Sequence, residues 1–284
     1  MASHYIGRFA PSPSGPLHLG SLVAALGSFL DARANNGRWL VRIEDIDPPR
    51  EMPGADSAIL RTLDAFGLHW DGEIRYQSQC HAAYDARLAA LAARQQSYRC
   101  GCTRKQLKAQ GLHSRKDCQT PPEGQPAALR FKNDAPVYRF TDRRLGAVEV
   151  GQTLAAEDFI IHRKDGLYAY QLAVVSDDID QGVTHVVRGL DLLDATVWQL
   201  GLYNALGASH CHYLHLPLVL GDDGQKLSKQ NHADPINDKA PLPALKQAMA
   251  YLGLKARDDS SVDALLSDAI TQWSWLDDSQ PAQA

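Results

Sequence analysis

The chain has 284 residues, 44% hydrophobic and 22% charged, close to globular averages. That excludes a disordered, collagenous or coiled-coil protein and leaves ample length for a buried core. Its 29 Lys and Arg against 33 Asp and Glu give a net charge of −4, so it is not a globally basic nucleic-acid binder, although a local basic face remains open to it.

Tyr5 to Phe9 reads as a short strand. It runs into Ala10-Pro11-Ser12-Pro13-Ser14-Gly15-Pro16, where three prolines interrupt any helix or ladder. Leu22, Ala25, Leu26, Phe29 and Leu30 then recur with helical spacing, and Asn36-Gly37 is a stop. This apolar stretch is too short to span a bilayer and follows no basic leader, so a soluble, unexported, cytoplasmic protein is expected. Trp39 to Ile43 reads as the next strand, ended by Asp47-Pro48-Pro49. Strand, loop, helix, strand is the start of a parallel α/β sheet.

Residues 81–96 are Ala-rich and helical, and from Tyr98 to Pro126 the pattern breaks into an insertion. Alternation returns at Val137 to Phe140 and at Val148 to Val150. Leu172 to Val175 and Val183 to Val187 are expected strands, and Leu192 to Leu206 a helix. Leu216 to Leu220 leads into a Gly/Asp loop, and after Pro235 the chain reads as helical and acidic. There is no internal repeat.

Two stretches carry phosphate chemistry. Pro16-Leu17-His18-Leu19-Gly20-Ser21 joins the first strand to the first helix. A helix N-terminus offers unpaired N–H groups and a positive dipole end, Gly20 permits close approach, and His18 can donate to a phosphoryl oxygen. Far along the chain, Gly221-Asp222-Asp223-Gly224-Gln225-Lys226-Leu227-Ser228-Lys229 places two lysines three apart in a Gly-rich loop, suited to charge that grows on phosphates in a transition state. Each alone also reads as an ordinary capped turn or a solvated loop.

Together the two resemble the signature elements of class I aminoacyl-tRNA synthetases, His18-Leu19-Gly20-Ser21 the first and Lys226-Leu227-Ser228-Lys229-Gln230 the second. Gly7 to Gly15, Arg42-Ile43-Glu44-Asp45, Ala173 to Asp178 and Thr184 to Gly189 are similar to glutamyl-tRNA synthetases, and the likeness runs from Tyr5 to Gln230. Only about fifty residues follow the lysine loop, where glutamyl-tRNA synthetases continue into an anticodon-binding region. The chain also has Gly189-Leu190-Asp191-Leu192 where they carry Gly-Glu-Asp-His. Both departures are those of the short glutamyl-queuosine tRNA(Asp) synthetase paralogues. The resemblance implies activation of L-glutamate with ATP and Mg²⁺, then transfer to a cyclopentenediol hydroxyl of queuosine at the wobble position of tRNA(Asp).

A substrate with two carboxylates and an ammonium needs fixed cations and an anion. Arg8 and Arg188 supply planar forks, Glu44 the anion and Tyr170 a directional hydroxyl. The resemblance implies that Arg8, Ala10, Ser12, Glu44, Tyr170 and Arg188 line the glutamate site. It also implies that His18, Gly20 and Lys229 meet ATP, with His18, Lys226 and Lys229 catalytic. An ordinary Arg8–Glu44 ion pair and a core Tyr170 are the plain alternatives.

The five cysteines do not suggest a disulfide framework. Cys100-Gly101-Cys102 and Cys118 look like three thiolates of one structural zinc site per chain. The resemblance places a tyrosine as fourth ligand where this chain has Ser114, with His113 adjacent, so His113, water or loss of the metal are the readings left open. Arg94, Arg99, Arg104, Lys105, Lys108, Arg115 and Lys116 against Asp117 give residues 94–118 a basic excess, a patch for RNA phosphates or a solvated face. The acidic stretch from Asp258 onward is not expected to contact RNA.

The expected fold is α/β, a doubly wound parallel Rossmann-type sheet. Residues 1–95 would form the first half of the catalytic domain, 96–165 the zinc-bearing insertion, 166–232 the second half and 233–284 a helical C-terminal region. The expected enzyme is a monomer without membrane association. The rivals are a truncated glutamyl-tRNA synthetase charging a tRNA 3′ end, a small-molecule nucleotidylyltransferase, and a non-catalytic zinc and RNA-binding module.

Overall fold

The computed structural model describes residues 5–103, 105–107, 113, 115–116, 118–221, 234–258 and 261–273. Strand β1 (Ile6–Phe9) is buried throughout and pairs in parallel with β2 (Arg38–Ile43), Ile6 opposite Arg38 and Phe9 opposite Val41. A parallel pair needs a crossover, here helix α1 (Leu19–Ala34). Its apolar spacing buries Leu22, Leu26 and Leu30, and Asn36 takes the left-handed turn (φ 51°) that ends it. Close packing shows at Gly27, where a Cβ would come within 2.6 Å of a Leu216 methyl. Strand β3 (Arg75–Tyr76) extends β2, after helix α2 (Ala55–Ala65).

A second sheet has four strands. Strands β9 (His185–Gly189) and β10 (His212–Leu216) are parallel, linked by α6 (Thr196–Leu206). Strand β6 (Arg139–Asp142) joins β10 through Asp142 and turns back as the antiparallel β7 (Gly146–Glu149). Thr184 N donates to Ile6 O at 2.9 Å and Ile6 N to Thr184 Oγ1 at 2.9 Å, so β1 and β9 lie side by side and the two sheets continue one another. From β1 the chain turns to one side and from β9 to the other. Ligands of such sheets sit beyond the carboxyl ends of these strands.

The stretch 96–165 divides. Strands β4 (Ser97–Cys100), β5 (Ala128–Phe131) and β8 (Ile160–His162) make a separate antiparallel sheet. The β6–β7 hairpin and the one-turn helix α4 (Gln152–Ala155) belong beside β10 and α6 instead. Helix α3 (His81–Ala93) packs on helix α5 (Tyr170–Asp180).

The expected strand at Leu172 to Val175 is instead the interior of α5. Residues Leu172 to Asp178 are all buried. A short apolar run covered on every side has no polar face to reveal its period, so helix and strand look alike. Helices α7 (Pro241–Tyr251) and α8 (Val262–Trp273) fold back on α1, in keeping with the helical reading after Pro235. There the buried Asp31 carboxylate receives Tyr5 OH, Arg143 Nη1 at 2.6 Å and Trp273 Nε1 at 2.9 Å. Among the described residues no helix is long and apolar enough to cross a membrane.

Candidate active site and metal centre

The loop leaving β1 is held extended by its prolines, and Glu44 N donates to Pro11 O at 3.0 Å, fastening the loop to the end of β2. Half-buried Ala10 and exposed Ser12 sit on this join. His18 then caps α1, its Nδ1 accepting from Ser21 N at 3.3 Å. A ring whose Nδ1 accepts carries its proton on Nε2 when neutral, so Nε2 is a donor. His18, Gly20 and Ser21 line a cleft closed by Gly189, Asp191 and Leu218 from the ends of β9 and β10. Lys226 and Lys229 fall in 222–233, outside the described residues. The flanks of that segment border the cleft: Val219 lines it, and Ile236 N donates to Leu17 O at 3.0 Å beside a Pro235–His18 bridge.

Next to this cleft lies a buried charge cluster. Arg8 on β1 grips Asp178 of α5 through Nε (3.1 Å) and Nη2 (3.5 Å). Arg42 on β2 reaches Asp178 at 2.8 Å and Gln181 at 2.8 Å. Burial works against ionisation of Asp178, yet the two guanidinium groups hold its carboxyl below the usual range. Glu44, at the end of β2, is only 8% exposed and stands 3.7 Å from Arg42 Nη2. Burial pushes its carboxyl up to about 7, against the pull of Arg42 and Arg8. Glu44 Oε1, Arg42 Nε and Arg42 Nη2 are buried without a hydrogen-bond partner. Buried polar groups of this kind take a partner from water, an ion or a ligand.

Tyr170 opens α5 and faces this cluster. Burial raises its phenol, and the charges of Glu44, Arg188 and Arg8 all act on it, while its ring packs against the hydrophobic core. Arg188 on β9 is 5% exposed. Its N–H groups go to His215 Nε2 (3.1 Å), Gln199 Oε1 (2.8 Å), Thr196 Oγ1 (2.8 Å) and Leu192 O (3.3 Å). None of these is a carboxylate, and among the described residues Arg188 has no ion pair. A fork with one N–H to spare and no counter-ion suits an incoming carboxylate. The plain alternative of an Arg8–Glu44 pair is not what forms, since Arg8 pairs with Asp178.

Arg42, Asp178, Gln199 and His215 were given no site role by the sequence reading. Arg42 had a signal, an arginine inside the apolar strand Trp39-Leu40-Val41-Arg42-Ile43. The others are found only through pairing across the fold.

Cys100, Cys102, His113 and Cys118 converge, with their ligand atoms within 4.8 Å of one another. Zn–S of about 2.3 Å and Zn–N of about 2.0 Å make tetrahedral edges of roughly 3.5–3.8 Å. The distances are 3.5 Å for Cys100 Sγ to His113 Nε2, 3.9 Å for Cys102 Sγ to the same nitrogen and 4.0 Å for Cys102 Sγ to Cys118 Sγ. The tautomer also fits. Tyr98 OH donates to Asp158 at 2.8 Å, so at 3.3 Å it accepts from His113 Nδ1–H and leaves the Nε2 lone pair facing the sulfurs. Burial and then Arg130 hold His113 below its usual value, neutral and ligand-competent. Burial raises Cys118, and the neighbouring Cys100 raises it further, a crowding of thiols that a divalent cation relieves. Zinc therefore fits these residues, with His113 in the fourth position. Ser114 lies outside the described residues.

Three of the seven basic residues of 94–118 have internal partners, and one of them, Arg115, is paired with carboxylates. Arg115 grips Asp158 through two bonds of 2.7 and 2.9 Å and meets Asp134 at 2.7 Å. Arg94 donates to Ala205 O, and Arg99 to Pro122 O and Gln125 O. Lys105 and Lys116 are exposed, while Arg104 and Lys108 lie outside the described residues.

A family profile described as the catalytic domain of class I tRNA synthetases (E and Q) matches residues 6–240. A protein of Shewanella amazonensis named glutamyl-Q tRNA(Asp) synthetase is 56% identical, over 96% of this chain and 93% of its own. One of the same name from Vibrio parahaemolyticus is 53% identical, over 95% and 93%. The crystal structure of a glutamate-tRNA synthetase from Elizabethkingia anophelis is 25% identical with a TM-score of 0.79, matching 94% of this chain. This chain spans 65% of that enzyme's length. A methionyl-tRNA synthetase of Mycobacterium tuberculosis, 12% identical with a TM-score of 0.57, shares the fold. The chain belongs to the class I tRNA synthetase (E and Q) family, in its glutamyl-Q tRNA(Asp) synthetase branch.

Proposed function

We propose that this protein activates L-glutamate with ATP and transfers it to the queuosine base at the wobble position of tRNA(Asp), a reading supported by relatives named glutamyl-Q tRNA(Asp) synthetase. The observation that carries the glutamate step is the charge cluster at the carboxyl ends of β1, β2 and β9. There the charges of Glu44, which has a buried oxygen without a hydrogen-bond partner, and of Arg188, which has no ion pair among the described residues, both act on the Tyr170 hydroxyl, and His18 caps the neighbouring helix α1. Arg188 and Arg8 take the substrate's carboxylates, Glu44 its ammonium, and Tyr170 orients it between them, with Ala10 and Ser12 at the rim.

ATP enters the cleft beside Gly20 with Mg²⁺ as its counter-ion. A glutamate α-carboxylate oxygen then attacks the α-phosphorus, and pyrophosphate leaves. His18 Nε2–H and the N-terminal amides of α1 meet the charge that develops on phosphate oxygens, with Lys226 and Lys229 completing the set. In the second step a hydroxyl of the tRNA base attacks the activated carbonyl, an ester forms and AMP departs.

Residues 1–95 and 166–232 form the two catalytic halves in this reading, the second joined by the β6–β7 hairpin and α4, with the β4-β5-β8 part of 96–165 the insertion and 233–284 the C-terminal region. A zinc ion held by Cys100, Cys102, His113 and Cys118 supplies a structural cross-link. The setting is cytoplasmic, where tRNA is found. Pyrophosphate exchange without tRNA tests the activation step, and its absence from folded protein refutes it. Mass spectrometry of nucleosides after reaction tests the transfer: glutamate on the terminal adenosine instead of queuosine selects the rival that charges a 3′ end.

A further inference from the structure

Behind Arg188 lies a buried chain of polar groups that the activation chemistry does not use. Asp142, 1% exposed, closes the β6–β7 turn by accepting Arg144 N and Leu145 N at 3.0 Å each. Its other oxygen accepts His215 N at 3.0 Å and His215 Nδ1 at 2.7 Å. His215 is fully buried on β10, and its Nε2 is the atom that faces Arg188 Nε at 3.1 Å.

These partners leave the ring no choice of tautomer. Nδ1 must carry a proton to face a carboxylate, and Nε2 must lack one to face an N–H that cannot be removed. The ring cannot swing, because Tyr213 stacks beside it at 6.1 Å and 8°, with Phe140 edge-on at 6.2 Å. Arg188 is fixed in turn, lying over the Tyr213 ring at 5.1 Å with Thr196 and Gln199 on its other nitrogens.

We propose that His215 is a positioning residue for glutamate binding: by accepting the Arg188 Nε–H, it sets the plane in which that guanidinium meets the substrate carboxylate. Asp142 acts one step further back by keeping Nε2 an acceptor. A buried cation held only by dipoles remains available to an anion, whereas a carboxylate in the place of His215 would pair with it and compete. The inference rests on the assignment of Arg188 to glutamate given above.

Two substitutions separate its parts. Asparagine places an N–H near the Nδ1 position, so His215→Asn keeps the donor to Asp142 and loses the acceptor to Arg188. Glutamine reaches the Nε2 position, so His215→Gln restores an acceptor while Asp142 keeps its three backbone N–H groups. A hydrogen bond to a charged group corresponds to about a 10–100-fold change in affinity. In pyrophosphate exchange, H215N is expected to raise the KM for glutamate within that range, leaving kcat at saturation and the KM for ATP little changed. H215Q is expected to recover most of the loss. An unchanged glutamate KM in H215N, or H215Q as impaired as H215N, overturns the inference. Arg188→Lys is the control: no effect of R188K on glutamate KM refutes the Arg188 assignment itself, whereas an effect of R188K without one of H215N refutes only the role of His215. Nitrogen NMR of the unsubstituted protein gives a reading independent of variant folding. The His215 ring should show a protonated Nδ1 and a bare Nε2, and the opposite tautomer overturns the proposal.

Discussion

On the proposed assignment of Glu44 to the substrate's ammonium, glutamate binding is expected to depend on pH. Its carboxyl is pushed up to about 7 by burial, although Arg42 and Arg8 pull it down. Only the ionised form offers an anion to the substrate's ammonium. The ionised fraction is then about nine-tenths at pH 8 and about one-tenth at pH 6, so kcat/KM for glutamate should fall roughly tenfold between them. The folded value lies above the ordinary 4.5, so the unfolded chain releases this proton first. Stability is therefore lost as pH rises from about 4.5 to 7 and levels off above, by roughly 3 kcal/mol from this group. Glu44→Gln removes both effects. It should raise glutamate KM about 10–100-fold, flatten the pH profile and leave the free protein more stable at pH 8 than the unsubstituted chain. Pyrophosphate exchange at subsaturating glutamate across pH 6–8 measures the first effect, and urea unfolding at pH 5 and 8 the second. A flat profile in the unsubstituted protein, or the same slope in E44Q, refutes the reasoning.

Asp178→Asn leaves Arg8 and Arg42 as buried cations without their shared anion, and urea unfolding should show a loss of about 3–5 kcal/mol, whereas less than 1 kcal/mol would mean that solvent reaches the pair. Protein purified without chelator should carry about one zinc per chain by elemental analysis, and Tyr98→Phe, which frees His113 Nδ1, should weaken its retention about 10–100-fold. Absence of zinc refutes the first, and unchanged retention the second. Lys229→Ala should slow single-turnover adenylate formation about 10²–10³-fold with little change in glutamate affinity, and an unchanged rate at saturation removes the lysine from the catalytic set.

What could be read from the sequence was local. The β1–α1–β2 unit is announced by three prolines, a helical apolar period and Asn36-Gly37, all of which act on near neighbours. The metal cluster was legible from Cys100, Cys102 and Cys118, and His113 was visible beside the departure at Ser114. Its choice as the converging fourth residue needed Tyr98 on β4 and Asp158 from the loop before β8. The run Leu172 to Val175 reads as a strand but folds as a helix, because full burial erases periodicity. Charges were the hardest to read. Arg115 counts as part of a basic patch until it meets Asp158, 43 residues away. The partner of Arg42 is 136 residues distant. No spacing rule reaches that far, so residue counts fix how much charge there is and the fold decides where it is spent.

The Asp31 carboxylate has a bearing on how the molecule is made. It sits in the first helix, yet it binds Tyr5 before β1, Arg143 from the turn after β6 and Trp273 at the end of α8. A nascent chain that has emerged only as far as α1 and β2 therefore carries an anion with one partner, Tyr5, in hand and two, Arg143 and Trp273, still unsynthesised. The first sheet cannot reach its final packing early in translation, and α8 closes the core that β1 began. Unfolding should run the same way, with the two distant ends of the described chain released in one cooperative event rather than the last helix peeling off alone.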